Sequence, residues 1–391
     1  MGAAGCTTSL CWEGAIEASG GGSAPGRAKA QDTKFWQEKM RFSRSSQTLF
    51  SASVHGDATL ATQAVRSLGD PNCCSGTGLR ALQVAISCGN SELVGLLLKA
   101  GADINGHTRE TPPPIVLAAG NVEDTTGALF EMLLGEGADL TVAEELSGET
   151  ALTRAADRGQ SAIVRIILSR GTPGFQKLLA QRCRSGPQGD GATALHLAAG
   201  RGFLSICDRL LGVGADPSAT DRAGRMPLHA AAEADRVEVA NLLLTFGSLH
   251  SGQDKEGLTP LHLAMPSGSL TMTDVLVRFA ADLNARCCRG QTVLHLAAKA
   301  GRDVVCQLLL AQGSEPNAVD AKGDTPFSLA FAEAHTRCCR ALLDGGAEVR
   351  PVDTSRWVPP YTEIDPAEHG RLRKDRRGPQ DAETPRGLAA C

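Results

Sequence analysis

Residues 257–264 read Gly-Leu-Thr-Pro-Leu-His-Leu-Ala, and near copies of this stretch stand 33 residues away on either side. GRMPLHAA begins at Gly224 and GQTVLHLA at Gly290; GATALHLA from Gly191 and GDTPFSLA from Gly323 extend the series to five. His196, His229, His262 and His295 keep the same step, as do Leu195, Leu228, Leu261 and Leu294, with Phe327 in the fifth place. A second series of stops, Gly214, Gly247, Ala280, Gly313 and Gly346, runs in phase with the first. A fixed period of this length means a repeat array, which settles the architecture before local propensity is weighed. A stack of small repeats offers a long surface rather than a pocket, so binding is the default function.

The order of residues within one unit dictates its local structure. Thr259-Pro260 sets a turn and starts a helix, because proline at the first helical turn lacks only an N–H that would be unpaired anyway. Leu-x-Leu-Ala-Ala then forms a short inner helix whose alanines let a neighbour approach closely. An apolar run such as Val239, Leu242, Leu243 and Leu244 forms a second helix, closed by glycine in a left-handed cap. About ten further residues return the chain to the next glycine as an extended hairpin.

This pattern resembles the ankyrin repeat, whose G-x-T-P-L-H-L-A-A…G-A-D sequence is followed almost letter for letter from Gly257 to Ala264. The resemblance implies an all-α solenoid of stacked helix pairs with hairpin loops. Weaker units extend it upstream, through Leu82 in GLRALQVAISCG, Ile115 in TPPPIVLAAG and Leu152 in GETALTRAADRG. Between Gly171 and Gly191 about ten extra residues, near 172–188, read as an insertion at a loop tip. Residues 47–74 read as an N-terminal capping half-repeat and 75–350 as about eight repeats. Residues 1–46 and 351–391 are expected to be disordered, since neither buries enough apolar surface to offset the entropy of ordering. Phe35, Trp36, Met40 and Phe42 depart from that composition and are expected to fold onto the first repeat.

A net charge of −4 with 21% charged residues does not suggest a nucleic-acid binder, and none is expected as partner. The 13 cysteines are odd in number and lack metal-ligand spacing; Cys73-Cys74, Cys287-Cys288 and Cys338-Cys339 are adjacent pairs. They are expected to be reduced thiols of a cytoplasmic protein. No run of 18 apolar residues and no basic-then-apolar leader is present, so neither a spanning helix nor a secretory signal is expected.

The periodic histidines invite a metal reading, but helices in a stack lie about 8–10 Å apart, too far for four imidazoles to converge on one ion. In ankyrin repeats this histidine bonds the threonine three residues earlier, so the resemblance gives His196, His262 and His295 the partners Thr193, Thr259 and Thr292. Met226 stands in that place before His229, where the threonine bond should be missing. Nucleophile-elbow, phosphate-loop, kinase and zinc-protease motifs are lacking, so no catalytic residue, metal or cofactor is expected.

The first residues, Met-Gly-Ala-Ala-Gly-Cys, resemble an N-myristoylation site with Gly2 as acceptor, although Cys6 replaces the preferred hydroxyl residue. Cys6 would take a palmitoyl chain as the second anchor, and Arg27, Lys29, Lys34, Lys39, Arg41 and Arg44 would add attraction to anionic lipid. The basic run Arg371–Arg377 has acidic neighbours and reads as a solvated tail rather than a nuclear-import patch. Pro359-Pro360-Tyr361 falls one residue short of a WW-domain ligand.

The resemblance further implies that partners are met by hairpin tips and the adjoining inner-helix edge. On the tips lie Arg222, Arg225, Lys255, Glu256, Leu258, Arg289, Gln291, Lys322 and Asp324; on the edge lie Arg201, Glu233 and Lys299. The basic excess on the tips points to a protein partner with an acidic surface. The chain therefore reads as a monomeric, non-enzymatic scaffold or adaptor. Two alternatives are a scaffold tethered to a membrane surface through Gly2 and Cys6, and a substrate adaptor of an enzyme complex such as a ubiquitin ligase. The tail after Arg350 lacks the Leu-rich helical pattern expected of the latter.

Overall fold

The computed structural model describes residues 44–349, apart from 68, 76–77, 110, 122–125, 171–174 and 185–190. It divides into two compact units, one ending at Asp282 and the other starting at Leu283. Among the described residues regular structure is helical, with isolated bridges such as Ala143 to Thr150 at hairpin necks instead of strands.

In the first unit, α1 (44–55) and α2 (Ala58–Arg66) form an opening pair. Asp57 caps α2, its carboxylate accepting the N–H groups of Thr59 and Leu60. Six helix pairs follow: α3 and α4 (Ala81–Ser87, Ser91–Lys99), α5 and α6 (Pro114–Ala119, Ala128–Gly135), and α7 and α8 (Ala151–Arg158, Ser161–Ser169). After the short α9 (Phe175–Leu179) come α10 and α11 (Ala194–Arg201, Leu204–Gly212), α12 and α13 (Pro227–Glu233, Val237–Thr245), and α14 and α15 (Pro260–Ala264, Leu270–Arg278). The second unit holds α16 and α17 (Val293–Lys299, Asp303–Ala311) with α18 and α19 (Pro326–Ala332, Thr336–Asp344).

Within each unit the first helix of a pair packs on the first helix of the next, α10 on α12 and α12 on α14, or α16 on α18. Second helices pack likewise, α11 on α13 and α17 on α19. The core explains the period. Leu195, Leu228, Leu261 and Leu294 are buried, and so are Ala198, Ala231, Ala264, Ala297 and Ala330 one turn later. Alanine there allows the close approach of neighbouring inner helices, while the leucines fill the layer between the helices of a pair. Pro227, Pro260 and Pro326 open their helices at the first turn, the place where proline removes no intrahelical bond.

The loops between pairs are hairpins of one pattern. Asp254 N–H donates to Leu258 O at 2.9 Å, and Gly257 N–H donates back to Asp254 O at 2.9 Å, with Gly257 at φ +74°. Asp221, Cys287 and Asp320 make the same two bonds in their own hairpins. The stretch read as an insertion near 172–188 holds α9, whose Leu178 and Leu179 are buried; its flanks, 171–174 and 185–190, lie outside the described residues. Cys183 rejoins the hairpin pattern, its N–H donating to Ala192 O at 2.9 Å.

Candidate partner-binding face

The buried histidines are built into the frame of this face. His196 accepts the backbone N–H of Thr193 at Nδ1 (3.2 Å), and the Thr193 hydroxyl lies 2.9 Å from the same nitrogen. An N–H donor at Nδ1 leaves the ring proton on Nε2, which donates to the carbonyl of Arg225 in the next hairpin at 2.9 Å. His229 repeats the arrangement toward Leu258 O (3.1 Å), and His295 toward Asp324 O (3.2 Å). Thr259 and Thr292 hold His262 and His295 as Thr193 holds His196. Before His229 the hydroxyl contact is missing, and Nδ1 takes only the Met226 N–H, at 3.1 Å. With both ring nitrogens engaged, His196, His229 and His295 are unavailable to a metal. Burial lowers the basicity of His196, His229 and His295, against the opposing pull of the carbonyl each one binds.

Gln83 plays the same part in the first repeat. Its Oε1 accepts the Arg80 N–H at 2.8 Å and its Nε2 donates to Pro112 O at 2.8 Å, the 29-residue offset used by the histidines. In the last described pair Ser328 turns back on Thr325 O at 2.9 Å, which leaves that hydroxyl without the forward reach of an imidazole.

A second periodic series, Asp221, Asp254 and Asp320, shapes the tips. Asp254 Oδ1 accepts the N–H groups of Glu256 (2.9 Å) and Leu258 (2.8 Å), and Asp320 Oδ1 accepts those of Lys322 (2.8 Å) and Asp324 (3.0 Å). Asp221 Oδ1 binds Arg225 N–H at 2.8 Å, while its buried Oδ2 has no hydrogen-bond partner among the described residues. Burial pushes the Asp320 carboxyl up, but the backbone donors of Asp324 and Lys322, with Gln291, outweigh it and hold the group below its usual value. A third series works at the hairpin bases. Asn72, Asn105, Asn284 and Asn317 each accept, through the side-chain oxygen, an N–H from Asp103, Asp139, Glu315 and Glu348 respectively, at 2.7–3.0 Å.

Against this frame the twelve sequence-derived contact residues fall into three groups. Lys255, Glu256, Arg289, Lys299 and Lys322 are exposed, as is Arg222. Leu258 and Asp324 are half-buried, and their carbonyls serve His229 and His295. Four are engaged inside the protein. Arg201 pairs with Asp157 at 3.0 Å, Arg225 with Glu233 at 3.1 Å and more loosely with Asp254 at 3.7 Å, and Gln291 Nε2 donates to Asp320 Oδ2 at 3.1 Å. The positive charge of Arg225 is therefore compensated locally. Neighbouring tips within a unit are also linked through the backbone: Lys255 N–H donates to Ala223 O, and Ala321 N–H to Arg289 O, both at 2.9 Å. Gly2 and Cys6, the aromatic group from Phe35 to Phe42, and the basic run Arg371–Arg377 lie outside the described residues.

The buried thiols are packing groups. Burial pushes Cys183 up to about 11 and Cys207 up to about 12, which keeps them protonated and weakly nucleophilic at neutral pH. Among the described residues no three His, Cys, Asp or Glu side chains converge as a metal site, and no helix is long and apolar enough to cross a membrane. A shallow, open depression of about 270 Å³ lies between α17 and α19, lined by Gln307, Leu310, Ala341 and Asp344 among others.

Comparison with known proteins matches these observations. A family model of three ankyrin repeats fits residues 115–221, 171–248, 195–287, 229–320 and 268–353, and a single-repeat model fits 77–109. The ankyrin repeat and KH domain-containing protein mask-1 of Caenorhabditis elegans is 28% identical over 153 residues, covering 34% of this chain and 6% of that protein. The nuclear factor NF-kappa-B p105 subunit of Gallus gallus is 27% identical over 169 residues, covering 35% of this chain and 16% of its own length. The B-cell lymphoma 3 protein homolog of Mus musculus is 37% identical over 95 residues, 24% of this chain and 20% of that one. The chain thus spans only a fifth or less of the length of these relatives. Since the repeat models fit well over half of its residues, the chain belongs to the ankyrin repeat family.

Proposed function

We propose that this chain is a non-enzymatic scaffold or adaptor that binds protein partners through its hairpin tips and the adjoining inner-helix edge. Ankyrin repeats are a protein-interaction module. The observation that carries the finer reading is the division of labour within a hairpin. Asp254 and Asp320 are buried and spend their carboxylates on the turn, while Lys255, Glu256 and Lys322 beside them are exposed and join the hairpin frame through their backbone N–H groups. Side chains so relieved of structural duty are free to be chosen for a partner, on a base held rigid by the histidine bonds.

Photo-crosslinking of the full chain tests this. A benzophenone amino acid at Lys255 or Lys322 is expected to trap proteins in cells, whereas the same probe at the exposed outer-helix residues Asn241 or Gln307 is not. Capture from the outer helices alone would overturn the reading. The membrane-tethered alternative rests on Gly2 and Cys6, and incorporation of a myristate analogue at Gly2 is its direct assay.

A further inference from the structure

The charges that the sequence spreads evenly over the tips are not equivalent in the structure. In the first unit Arg225 is taken up by Glu233 at 3.1 Å and Asp254 at 3.7 Å, and Lys255 stands next to Glu256. The two hairpins of the second unit differ. Arg286, Arg289 and Lys322 are exposed, and none of the three has an ion-pair partner among the described residues. Three acids belong to the same hairpins, and one of them, Glu315, is exposed at the base, where its N–H donates to Asn284 Oδ1 at 3.0 Å. Asp320 is buried, with its oxygens turned to the N–H groups of Lys322 and Asp324 and to the amide of Gln291. Asp324 is half-buried at the neck.

The backbone keeps these cations together. Ala321 N–H donates to Arg289 O at 2.9 Å, which fixes the Arg289 tip beside the tip that carries Lys322. Arg286 reaches across the same pair of hairpins, its guanidinium donating to Val319 O at 2.9 Å through one nitrogen and leaving the others for a ligand. Three like charges on two pinned loops repel one another, and an anionic ligand relieves that repulsion without rearranging the fold.

We propose that the hairpin tips of the second unit, Arg286, Arg289 and Lys322, form the docking point for an acidic segment of a protein partner. This rests on the reading of the chain as a tip-binding interaction module and narrows it to one place and one partner chemistry. Arginine supplies forked donors suited to carboxylates, and lysine adds a point charge beside them. A nucleic acid is the less suited anion, because these two hairpins carry no aromatic residue on which a base would stack.

The test is fluorescence anisotropy of the full chain with a labelled peptide of alternating Glu and Ser, read at low and at high salt. Binding to the wild type is expected, weakening as salt rises. The double variant Arg289→Glu/Lys322→Glu should bind at least about tenfold less tightly, with an unchanged circular dichroism spectrum because both side chains are exposed. Lys255→Glu in the first unit should alter affinity by less than about twofold. Equal binding by the double variant, failure of the acidic peptide to bind at low salt, or tighter binding of a single-stranded oligonucleotide of equal charge would each overturn the proposal. Crosslinking through the tips reads occupancy by any protein, so it can succeed while this charge test fails, and the two readings are separable.

Discussion

His196 of one repeat hands a hydrogen bond to the carbonyl of Arg225 in the next, 2.9 Å away, while its other nitrogen closes the start of its own helix. One side chain thus satisfies a helix end and a hairpin neck that belong to different repeats. His196→Ala is expected to cost about 1–3 kcal/mol, since it orphans buried backbone groups on both sides. His196→Gln should cost clearly less, because Gln83 already performs the same two-sided task with an amide. Urea denaturation midpoints of the two variants decide it, and equal losses would contradict the relay.

The same histidines make stability depend on pH in a definite direction. Burial lowers the folded-state pKa of His196, His229 and His295 below the ordinary value of 6.5, so the unfolded chain binds protons first on acidification. Their contribution is therefore complete above pH 6.5 and is lost as pH falls from there toward the lowered folded values. Protonating Nδ1 would also force it against the N–H of Thr193, Met226 or Thr292. Denaturation midpoints should be level from about pH 8 to 7 and fall between about pH 6.5 and 5, a window above the ordinary titration of carboxylates. A midpoint that stays level to pH 5 would refute the burial of neutral imidazoles.

Much of this was legible in the sequence because the fold repeats its solutions. The 33-residue step shows itself through glycines, leucines and histidines, each held to one residue type by a backbone angle, a packing layer or a two-sided hydrogen bond. The roles of Asp221, Asp254 and Asp320, and of Asn284 and Asn317, were open to the same reading, since each series is also 33 apart. They escape notice because Cys287 interrupts the first and Ser251 stands in line with the second. Gln83 hides for a different reason: it matches the histidine in geometry but not in name. The charge state of the tips could not be read at all from spacing. Whether Arg225 faces a partner or is consumed by Glu233 and Asp254 depends on side-chain direction across neighbouring hairpins, which no periodicity encodes.

Ala280 marks the one place in its series where the fold is served by the wrong residue. Gly214, Gly247, Gly313 and Gly346 stand at φ between +87° and +94°, and Ala280 is held at φ +60°, still in the left-handed region. A Cβ in that region costs about 1–2 kcal/mol, partly offset because alanine loses less freedom than glycine on folding. Ala280→Gly is therefore expected to stabilise the protein by roughly 0.5–1 kcal/mol, and Gly247→Ala, whose new Cβ meets no neighbouring atom, to destabilise it by a similar amount. Because the second substitution creates no clash, the pair isolates backbone strain from packing. Thermal unfolding of both variants is the measurement; a lower midpoint for Ala280→Gly would show that the strain is not there to be relieved.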